Sequence, residues 1–599
     1  MNYDVLIVGG GIAGMESALT LGDMGFKVLL VEKDPSIGGK MILLSKVFPT
    51  LDCASCISTP KMASTIHHPN VTVMTSSEAR DITKNADGTF KALINSRTTY
   101  VDNNACTGCG ECELACTVAL PDRFNFDMVA HRAAYIPFPQ AVPKKAVISR
   151  QGQSPCSNAC PAGVKAHGYV SLVRSGKYDE AFHLHMEDAP LPGSLSRACY
   201  APCEDECTRG ELEGHVSIRE IKRFLVDLYY QAHPKSEEKQ PEKLLDKNVA
   251  IVGSGPAGIS AAYYLARNGY SVTVFESAMK SGGLLRYGIP DYRLPNSVVE
   301  RDIMNVTSLG VEIRTNSTVT SVKVLKDQGF DAVFLALGAM ETWKTPVPGE
   351  DLDGVIDSMT FRKEINTGRK RNMRGKTVMV AGRGNAAIDL ARIAIRLGAE
   401  NVIVQYREVK DYRKYWGTKA ESANDWEVDG DIEENIKLDI LKTQKRFIGE
   451  NGHLTGVESI SLKLSKSDSN GIQQLIPVEG SEEIIPVDLV ILAIGMRSGV
   501  APFQQELDIN RDGTIPVNTE TLETSMPSVF AGGDVTTGPS SITDAMGQGK
   551  RAAFYIDRYL QGRSLIDTTF DTRLPVVDKS SAISRSEPIS RREPIVVVR

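Results

Sequence analysis

The chain alternates between strand-sized apolar runs and longer stretches in which apolar residues recur at helical spacing. Residues 4–33 align without a gap to residues 248–277, each as an apolar strand, a glycine turn, a helix and a second strand. A third strand–turn–helix follows at Thr377–Arg392, and another strand at Asn401–Tyr406. Alternating strands and helices are typical of parallel sheets. The pattern therefore predicts an α/β protein with several Rossmann-like units.

Both copies of the repeat carry a GxGxxG turn before the helix and an acidic residue at the end of the second strand. The glycines let the backbone approach a pyrophosphate, the helix N-terminus stabilises its charge, and the acid binds a ribose hydroxyl. We therefore predict dinucleotide sites; glycines needed only for tight packing are the alternative. The residues are Gly9, Gly11, Gly14 and Glu32, and then Gly253, Gly255, Gly258 and Glu276.

The third turn has the pattern GxGxxA, with the candidate binding residues Gly382, Gly384, Asn385 and Ala386. Arg407 ends the strand that follows, and an arginine there suits the 2′-phosphate of NADP(H). Glu408 lies next to it and would suit the free hydroxyl of NAD(H). We expect a domain over residues 346–487 that prefers NADP(H).

Three features near the end of the chain predict the second half of an FAD domain. Val487–Ile494 is predicted to be a buried strand, Ser528–Asp534 a strand that ends in a GD turn, and Gly538–Ala545 the start of a helix. In two-dinucleotide flavoproteins, such a turn places its aspartate on the ribityl chain. We expect residues 246–345 and 488–565 to form a split FAD domain that uses Gly533 and Asp534; an ordinary turn is the alternative.

Composition and charge exclude several kinds of partner. The 599 residues carry a net charge of −6 without a long basic block, so neither nucleic acid nor anionic lipid is expected as the main partner. No signal peptide or membrane-length apolar run is visible. All 11 cysteines lie between Cys53 and Cys207. This clustering predicts metal or redox chemistry in the reducing cytoplasm rather than disulfides.

The first cysteine group lies in residues 101–150 and has the spacing CxxCxxCxxxC. This spacing is typical of one 4Fe–4S cluster, whereas zinc usually takes two separated CxxC pairs. We therefore predict a ferredoxin-like segment whose ligands are Cys106, Cys109, Cys112 and Cys116.

The second group lies in residues 151–245, where Val170–His185 and Ser217–Tyr230 predict helices. We expect a small helical iron–sulfur domain with His183 and His185 on its surface. Five cysteines complete one cubane and leave one thiolate over. They are Cys156, Cys160, Cys199, Cys203 and Cys207.

Cys53 and Cys56 form the remaining pair. One hypothesis joins them to the leftover ligands, so that eleven thiolates and one non-cysteine ligand hold three clusters. Two clusters and a metal-free dithiol are the alternative.

Specific segments resemble known families. Residues about 154–565 resemble the small subunit of NADPH-dependent glutamate synthase and the large subunit of NADH-dependent ferredoxin:NADP⁺ oxidoreductase (Nfn), through CEDEC, VGSGPAGISAA, Gly282–Pro295 and Ala531–Gly549. Residues about 1–150 look like the flavin subunit of heterodisulfide reductase, through VGGGIAGMESAL, Leu51–Met62 and Tyr135–Pro143. Such a fusion is similar to the flavin subunit of Sporomusa-type Nfn (Stn) transhydrogenases.

The resemblance implies a two-dinucleotide-binding-domain flavoprotein with Rossmann-like FAD and NADP domains. A helical iron–sulfur domain precedes them, and residues 1–100 form a Rossmann-like half with a ferredoxin-like insert. Because this half has no GD motif, a second FAD there stays open. Residues 566–599 are expected to be an extended tail. The resemblance adds further FAD-binding candidates: Gly283, Leu284, Arg286, Ser541, Thr543 and Ala545.

Two departures from these families concern cluster ligands. The glutamate synthase-like families often carry two further cysteines upstream of Cys156, and Val147–Ser154 has none. Relatives that use a polar non-cysteine ligand in the segment before Phe224 would place it near Lys222, which cannot ligate while it is protonated.

The expected reaction is hydride exchange between NADP(H) and FAD, with a one-electron relay through 4Fe–4S clusters. Cofactors carry this chemistry, so no general base or nucleophile is expected. No terminal substrate site is visible, which favours a larger transhydrogenase complex with NADH-binding flavin and iron–sulfur subunits and ferredoxin, and electron bifurcation as an open possibility. The alternatives are the electron-donating subunit of a glutamate synthase and a non-catalytic relay scaffold.

Overall fold

The computed structural model describes residues 2–407, 436–465, 475–566 and 569–570, except for 86, 117, 127, 150–151, 242–244, 370 and 383. The chain divides into two compact units, Met1–Gly152 and Gln153–Arg599. The predicted tail, from residue 571 onward, and Glu408 lie outside the described residues.

The first unit contains eleven short strands and three α-helices among its described residues. The helices are α1 (Ile12–Asp23), α2 (Ala54–His67) and α3 (Glu111–Ala115). The strands are β1 (Val5–Val8), β2 (Val28–Val31), β3 (Lys46–Val47), β4 (Asp52–Cys53), β5 (Val71–Met74), β6 (Ser77–Lys84), β7 (Phe90–Ser96), β8 (Ala119–Pro121), β9 (Ala130–Arg132), β10 (Ala134–Tyr135) and β11 (Val147–Ile148).

A parallel three-stranded sheet with the order β1-β2-β5 organises this unit. All four side chains of β2 are buried because β2 is the central strand. The core of the sheet includes Met15 from α1 and Met62 from α2, and also Phe138. Residues 1–100 and the segment around Phe138 therefore share one core.

The second unit begins with a helical region and continues into two α/β sheets. Its helices are α4 (Pro155–Asn158), α5 (Ala166–Arg174), α6 (Tyr178–Met186), α7 (Pro192–Ala198), α8 (Pro202–Asp205), α9 (Ile218–Ala232), α10 (Pro256–Arg267), α11 (Leu284–Tyr287), α12 (Asn296–Thr307), α13 (Val322–Asp327), α14 (Ser358–Asn366), α15 (Gly384–Arg396), α16 (Asp534–Thr537) and α17 (Ile542–Leu560).

The described part of this unit also contains sixteen strands, which lie from residue 248 onward. They are β12 (Asn248–Val252), β13 (Ser271–Phe275), β14 (Glu312–Arg314), β15 (Ala332–Leu335), β16 (Glu341–Thr342), β17 (Val355–Asp357), β18 (Thr377–Gly382), β19 (Asn401–Tyr406), β20 (Ile436–Ile440), β21 (Lys442–Glu450), β22 (His453–Leu464), β23 (Leu475–Pro477), β24 (Glu483–Pro486), β25 (Leu489–Ala493), β26 (Met496–Arg497) and β27 (Val529–Ala531).

The first of the two α/β sheets is parallel and has the order β14-β13-β12-β15-β27. Its last strand comes from the distant segment that contains the GD motif, as expected for a split domain. Helix α17 packs along α10, and Ser260 Oγ donates to the carbonyl of Met546 at 3.1 Å. This contact joins α17 to the helix that follows the glycine turn.

The second sheet has the order β17-β25-β18-β19-β20. Its strand β25 corrects the expected boundary at residue 488, because Val490 pairs with both Val355 and Met379. An all-apolar strand gains most when neighbours cover both of its edges and faces. The segment Leu489–Ala493 therefore completes the inserted domain rather than the FAD sheet. An antiparallel sheet of β21, β22, β23 and β24 is inserted in the chain between the parallel strands β20 and β25.

The helical region differs from the sequence-based expectation in two places. Val170–His185 forms two helices, α5 and α6, because Gly176 adopts a left-handed φ of +72° between them. His183 is exposed as expected, but His185 is 1% exposed. The expectation was wrong for His185, because the buried face of α6 also carries Phe182 and Met186. None of the described helices combines the length and apolar composition that crossing a bilayer requires.

Candidate functional site

A cavity of about 1650 Å³ lies in the second unit, where the glycine turn after β12, the GD turn and the start of α15 meet. Its volume exceeds the roughly 300–1,000 Å³ of a typical small-molecule pocket, which suits an extended dinucleotide together with a second ligand. The predicted residues on its wall are Gly253, Gly255, Glu276, Gly283, Leu284, Ala386, Gly533, Asp534, Ser541 and Ala545.

The glycine turn of the second copy leaves no room for a side chain at its first and third glycines, Gly253 and Gly258. Gly253 has φ +104°, and a Cβ there would lie 2.2 Å from the carbonyl oxygen of Ala336. A Cβ on Gly258 would lie 2.0 Å from the carbonyl oxygen of Gly253. These contacts hold α10 against β12, with its N-terminus facing the cavity, where it can stabilise a pyrophosphate.

Glu276 is 7% exposed and lies beside this turn at the end of β13. Its carboxylate accepts hydrogen bonds from Ser254 N at 3.1 Å and from Ala278 N at 2.8 Å. The side chain is therefore fixed at the cavity wall, where the predicted contact with a ribose hydroxyl is sterically reasonable.

The GD turn forms another part of the cavity wall. Gly533 has φ +79°, which a residue with a Cβ rarely adopts. Asp534 accepts from Ser540 N at 3.1 Å, and burial raises the pKa of its carboxyl group. Ser541 caps α17 by accepting from Asp544 N at 3.1 Å, so the helix start is fixed beside the cavity.

Three predicted FAD residues do not line the cavity. Gly258 does not face the cavity but allows α10 to pack closely against the Gly253 carbonyl. Thr543 is buried in α17, where its hydroxyl lies 2.9 Å from the Ser541 hydroxyl. Arg286 is engaged by its own neighbours: it donates to the Ser281 carbonyl at 2.8 Å and to Asn296 at 3.1 Å. Arg286 therefore shapes the turn after Gly283 in this structure.

The third turn places one more predicted residue, Ala386, at the cavity. A Cβ on Gly382 would lie 2.2 Å from the Ala493 carbonyl, so the neighbouring strand β25 explains this glycine. Arg407 is exposed at the end of β19, where an incoming 2′-phosphate could reach it. The described structure assigns no side-chain position to Asn385.

Sequence reasoning missed several charged residues on the same wall. Arg362 on α14 is 6% exposed and donates to the Ala386 carbonyl at 3.0 Å. Burial lowers the pKa of this arginine, and its Nε has no hydrogen-bond partner among the described residues. Arg293 pairs with Asp389 on α15 at 3.2 Å. In the sequence, Arg362 stands out only as an arginine among the buried positions of α14.

The first copy of the repeat forms the same local turn in the first unit. Glu32 is 6% exposed and accepts from Gly10 N at 2.6 Å. A Cβ on Gly14 would lie 1.9 Å from the Gly9 carbonyl oxygen. A Cβ on Gly11 would have only the Gly39 Cα within 4 Å, at 3.9 Å. The turn is therefore shaped for a dinucleotide phosphate.

The helical region brings four of its five cysteines together. Burial raises the pKa of the Tyr169 hydroxyl, and four nearby cysteines raise it further: Cys203, Cys199, Cys160 and Cys156. Three of these, Cys160, Cys199 and Cys203, are below 10% exposed and are called the buried thiol group here. Cys207 is also 7% exposed and accepts from Val216 N at 3.5 Å.

These residues fit an iron–sulfur cluster better than a single metal ion. Within the described ranges, no three or more His, Cys, Asp or Glu side chains converge closely enough for one ion. A cubane instead takes each thiolate on a different iron atom. Burial raises the pKa of the Cys160 and Cys203 thiols, which makes them poor acids until a metal binds them.

The cysteines of the first unit are more exposed. Cys106 accepts from Ala146 N at 3.4 Å, and Cys109 and Cys112 are exposed around the start of α3. At the N-terminus of α2, Cys53 accepts from Cys56 N at 3.3 Å. This pair's side-chain hydrogen bond is the largest of the causes that lower the pKa of Cys53 to about 7.

Comparison with known protein families identifies the family to which most of the second unit is similar. The pyridine nucleotide-disulphide oxidoreductase family matches residues 247–549, which is half of the chain. The chain belongs to this family. Within this pyridine nucleotide-disulphide oxidoreductase, residues 149–233 match dihydropyrimidine dehydrogenase domain II, a 4Fe–4S cluster domain. Residues 4–51 match the FAD dependent oxidoreductases.

Three curated relatives of this oxidoreductase are subunits of larger enzymes. It is 35% identical over 443 residues to the NADP(+)-dependent formate dehydrogenase subunit beta of Moorella thermoacetica, covering 70% of this chain and 61% of that protein. It is 33% identical over 543 residues to the NADPH-Fe(3+) oxidoreductase subunit beta of Geobacter sulfurreducens, covering 82% and 78%. It is 30% identical over 429 residues to the glutamate synthase [NADPH] small chain of Escherichia coli, covering 68% and 89%.

These comparisons confirm the expected family, fold class and enzyme class. This oxidoreductase is an NADP(H)-dependent flavin enzyme with an iron–sulfur domain, and its cofactor classes are FAD, NADP(H) and 4Fe–4S clusters. The number of clusters, the second FAD, the other domain boundaries and the individual ligands stay predictions, as does the resemblance of the first unit to heterodisulfide reductase.

Proposed function

We propose that this chain is the flavin and iron–sulfur subunit of a multi-subunit electron-transfer complex. In this role it exchanges hydride between NADP(H) and FAD and passes single electrons to partner subunits. The observation that carries the proposal is the position of Cys199, because its neighbours Ala198 and Tyr200 line the same cavity as Glu276 and Asp534.

A second contact supports a short path between flavin and cluster. Helix α17 follows the GD turn and the short helix α16 in the chain, and a Cβ on its Gly547 would lie 2.6 Å from the carbonyl oxygen of Pro161. Pro161 directly follows Cys160. The helix that would face the flavin thus packs against the loop that would hold the cluster.

The chain's own residues supply position and charge. Bound FAD would convert a hydride from NADP(H) into single electrons. Glu276 would hold the adenosine ribose, the N-terminus of α10 the pyrophosphate, and Asp534 the ribityl chain. Arg407 would bind the 2′-phosphate. Because Ala386 and Leu284 line one cavity, nicotinamide and flavin would meet inside it.

The partner subunits form the finer part of the proposal. We place the chain in a transhydrogenase whose other subunits bind NADH and ferredoxin, because the sequence of the first unit resembles the flavin subunit of heterodisulfide reductase. The relatives' own names describe subunits, which supports a complex. Purification from the native cell under anaerobic conditions should recover NADH-binding flavin and iron–sulfur proteins with this chain.

A glutamate synthase subunit is the second candidate, because 89% of the Escherichia coli small chain is covered. That match spans 68% of this chain, whereas the Geobacter sulfurreducens match spans 82%. Co-purification of a glutamine-dependent amidotransferase in place of NADH-binding subunits would favour this candidate.

Dye reduction by the isolated chain distinguishes both of these candidate functions from that of a non-catalytic relay scaffold. NADPH should bleach the flavin absorbance of the purified full chain and support reduction of an artificial electron acceptor. A chain that holds FAD but shows neither effect would contradict the proposed hydride exchange.

A further inference from the structure

Lys222 occupies a position where a charged residue is costly. It lies on the buried face of α9 together with Ile218, Leu225 and Val226, and it is 5% exposed. Helical spacing places an apolar side chain at such a position. A lysine is almost never this buried unless an opposite charge compensates it.

The described residues offer little compensation by carboxylates. None of their ion pairs includes Lys222. The acidic residue tied to the first turn of α9 is Glu204, which is 2% exposed and already accepts from Arg219 N at 2.6 Å.

The three cysteines of the buried thiol group pack in the same hydrophobic core as Ile218, Leu225 and Val226, which share the buried face of α9 with the lysine. The first turn of α9 is tied to the cysteine segment by the Arg219–Glu204 bond and by Val216 N, which donates to Cys207 at 3.5 Å. This packing fixes Lys222 beside the thiols.

We propose that Lys222 is the fixed positive charge beside the cluster bound by Cys160, Cys199 and Cys203, and that it raises the reduction potential of this cluster. Thiolates on a buried cluster supply the negative charge that the lysine otherwise lacks. Net charge near a cluster is one of the factors that set its potential. A cluster that accepts electrons more readily suits a position next to the flavin cavity, and in this respect the inference rests on the proposed function.

Two substitutions and one control test this role. Lys222→Met keeps the length of the side chain and removes its charge, whereas Lys222→Arg keeps the charge. Lys165→Met removes a lysine of the same region that pairs with Glu187 at 2.7 Å and is 44% exposed. Each full-length chain is purified anaerobically for iron analysis and for a redox titration followed by electron paramagnetic resonance.

We expect one cluster signal of Lys222→Met to titrate at a more negative potential, while Lys222→Arg and Lys165→Met resemble the unmodified chain. If Lys222→Met instead loses about four irons, one 4Fe–4S cluster, Lys222→Arg should keep them. Equal behaviour of the Met and Arg variants, whether unchanged or cluster-free, would overturn the inference. An unmodified chain without iron would instead count against the proposed function.

Discussion

Gly9 and Gly253 open the two copies of the repeat with nearly the same backbone conformation, φ +103° and +104°. The third glycine of each turn is equally crowded, because a Cβ on Gly14 or Gly258 would lie 1.9 or 2.0 Å from a carbonyl oxygen. The strand orders β5-β2-β1 and β14-β13-β12 also correspond. A segment of about thirty residues is thus enough to form the turn, and it does so once in each unit.

The surroundings of the two turns differ. A Cβ on Gly253 would meet the Ala336 carbonyl at 2.2 Å, whereas a Cβ on Gly9 would have nothing within 4 Å. Val252 is 5% exposed and Val8 is 61% exposed. In the second unit, β15 and β27 extend the sheet beyond β12; in the first unit, no described strand pairs with the free edge of β1.

The comparison shows what a flavin site requires beyond its fingerprint. The glycine turn fixes a place for a pyrophosphate, but enclosure comes from strands far away in the sequence. In the second unit these strands bring the GD turn and the start of α17. We therefore assign the working flavin to the second copy.

The largest expected effect comes from matched substitutions in the two turns. Gly258→Val should weaken FAD binding at least about tenfold, because a side chain at this position displaces backbone and overpacking costs roughly 1–3 kcal/mol or more. Gly14→Val should leave the FAD of the second copy in place. FAD released per chain on denaturation measures both. Loss of FAD in Gly14→Val alone would reverse the assignment.

Arg407→Ala should raise the KM for NADPH by about 10–100-fold, since a charge-assisted contact with phosphate is worth roughly 1.5–3 kcal/mol. The KM for NADH should change little, because NADH has no 2′-phosphate. Steady-state dye reduction with both nucleotides measures this. Arg369→Ala, an arginine of the same domain that pairs with Glu364, is the control. Equal effects on both nucleotides would refute the assigned role.

The acids of the two copies offer a smaller contrast. Glu276→Gln should weaken FAD binding about tenfold, because it loses a charged acceptor worth roughly 1.5–3 kcal/mol. Glu32→Gln, its counterpart, should leave the FAD content of the purified chain unchanged. Titration of the deflavinated protein with FAD gives both affinities, and equal weakening would show that the first copy also contributes to flavin binding.

The smallest effect concerns the chemistry of the first unit. The pKa of Cys53 is about 7, lowered mainly by its hydrogen bond with Cys56, so its thiolate should form as the pH rises through that value. Alkylation of Cys53 should accelerate between about pH 6 and 8. In Cys56→Ala, the midpoint should move up toward the ordinary 9.0. If Cys53 resists alkylation until iron is removed, it binds a cluster and is not a free dithiol.

Much of the fold follows from short-range signals. The repeat, the GxGxxA turn and the strand at Asn401–Tyr406 predict elements that the structure places within a few residues, because strand periodicity and glycine turns are local. The boundary at residue 488 was wrong because nothing local to an apolar strand indicates which sheet it joins. His185 and Arg362 were missed for a related reason: helical spacing identifies a buried face but not which polar residues it includes.

Anaerobic titration of the full chain with NADPH tests the central claim most directly, with flavin followed by absorbance and clusters by electron paramagnetic resonance. We predict that the flavin bleaches and a cluster signal then rises in the unmodified chain and in Gly14→Val, while Gly258→Val shows neither change. Flavin bleaching and cluster reduction that persist in Gly258→Val and disappear in Gly14→Val would contradict it.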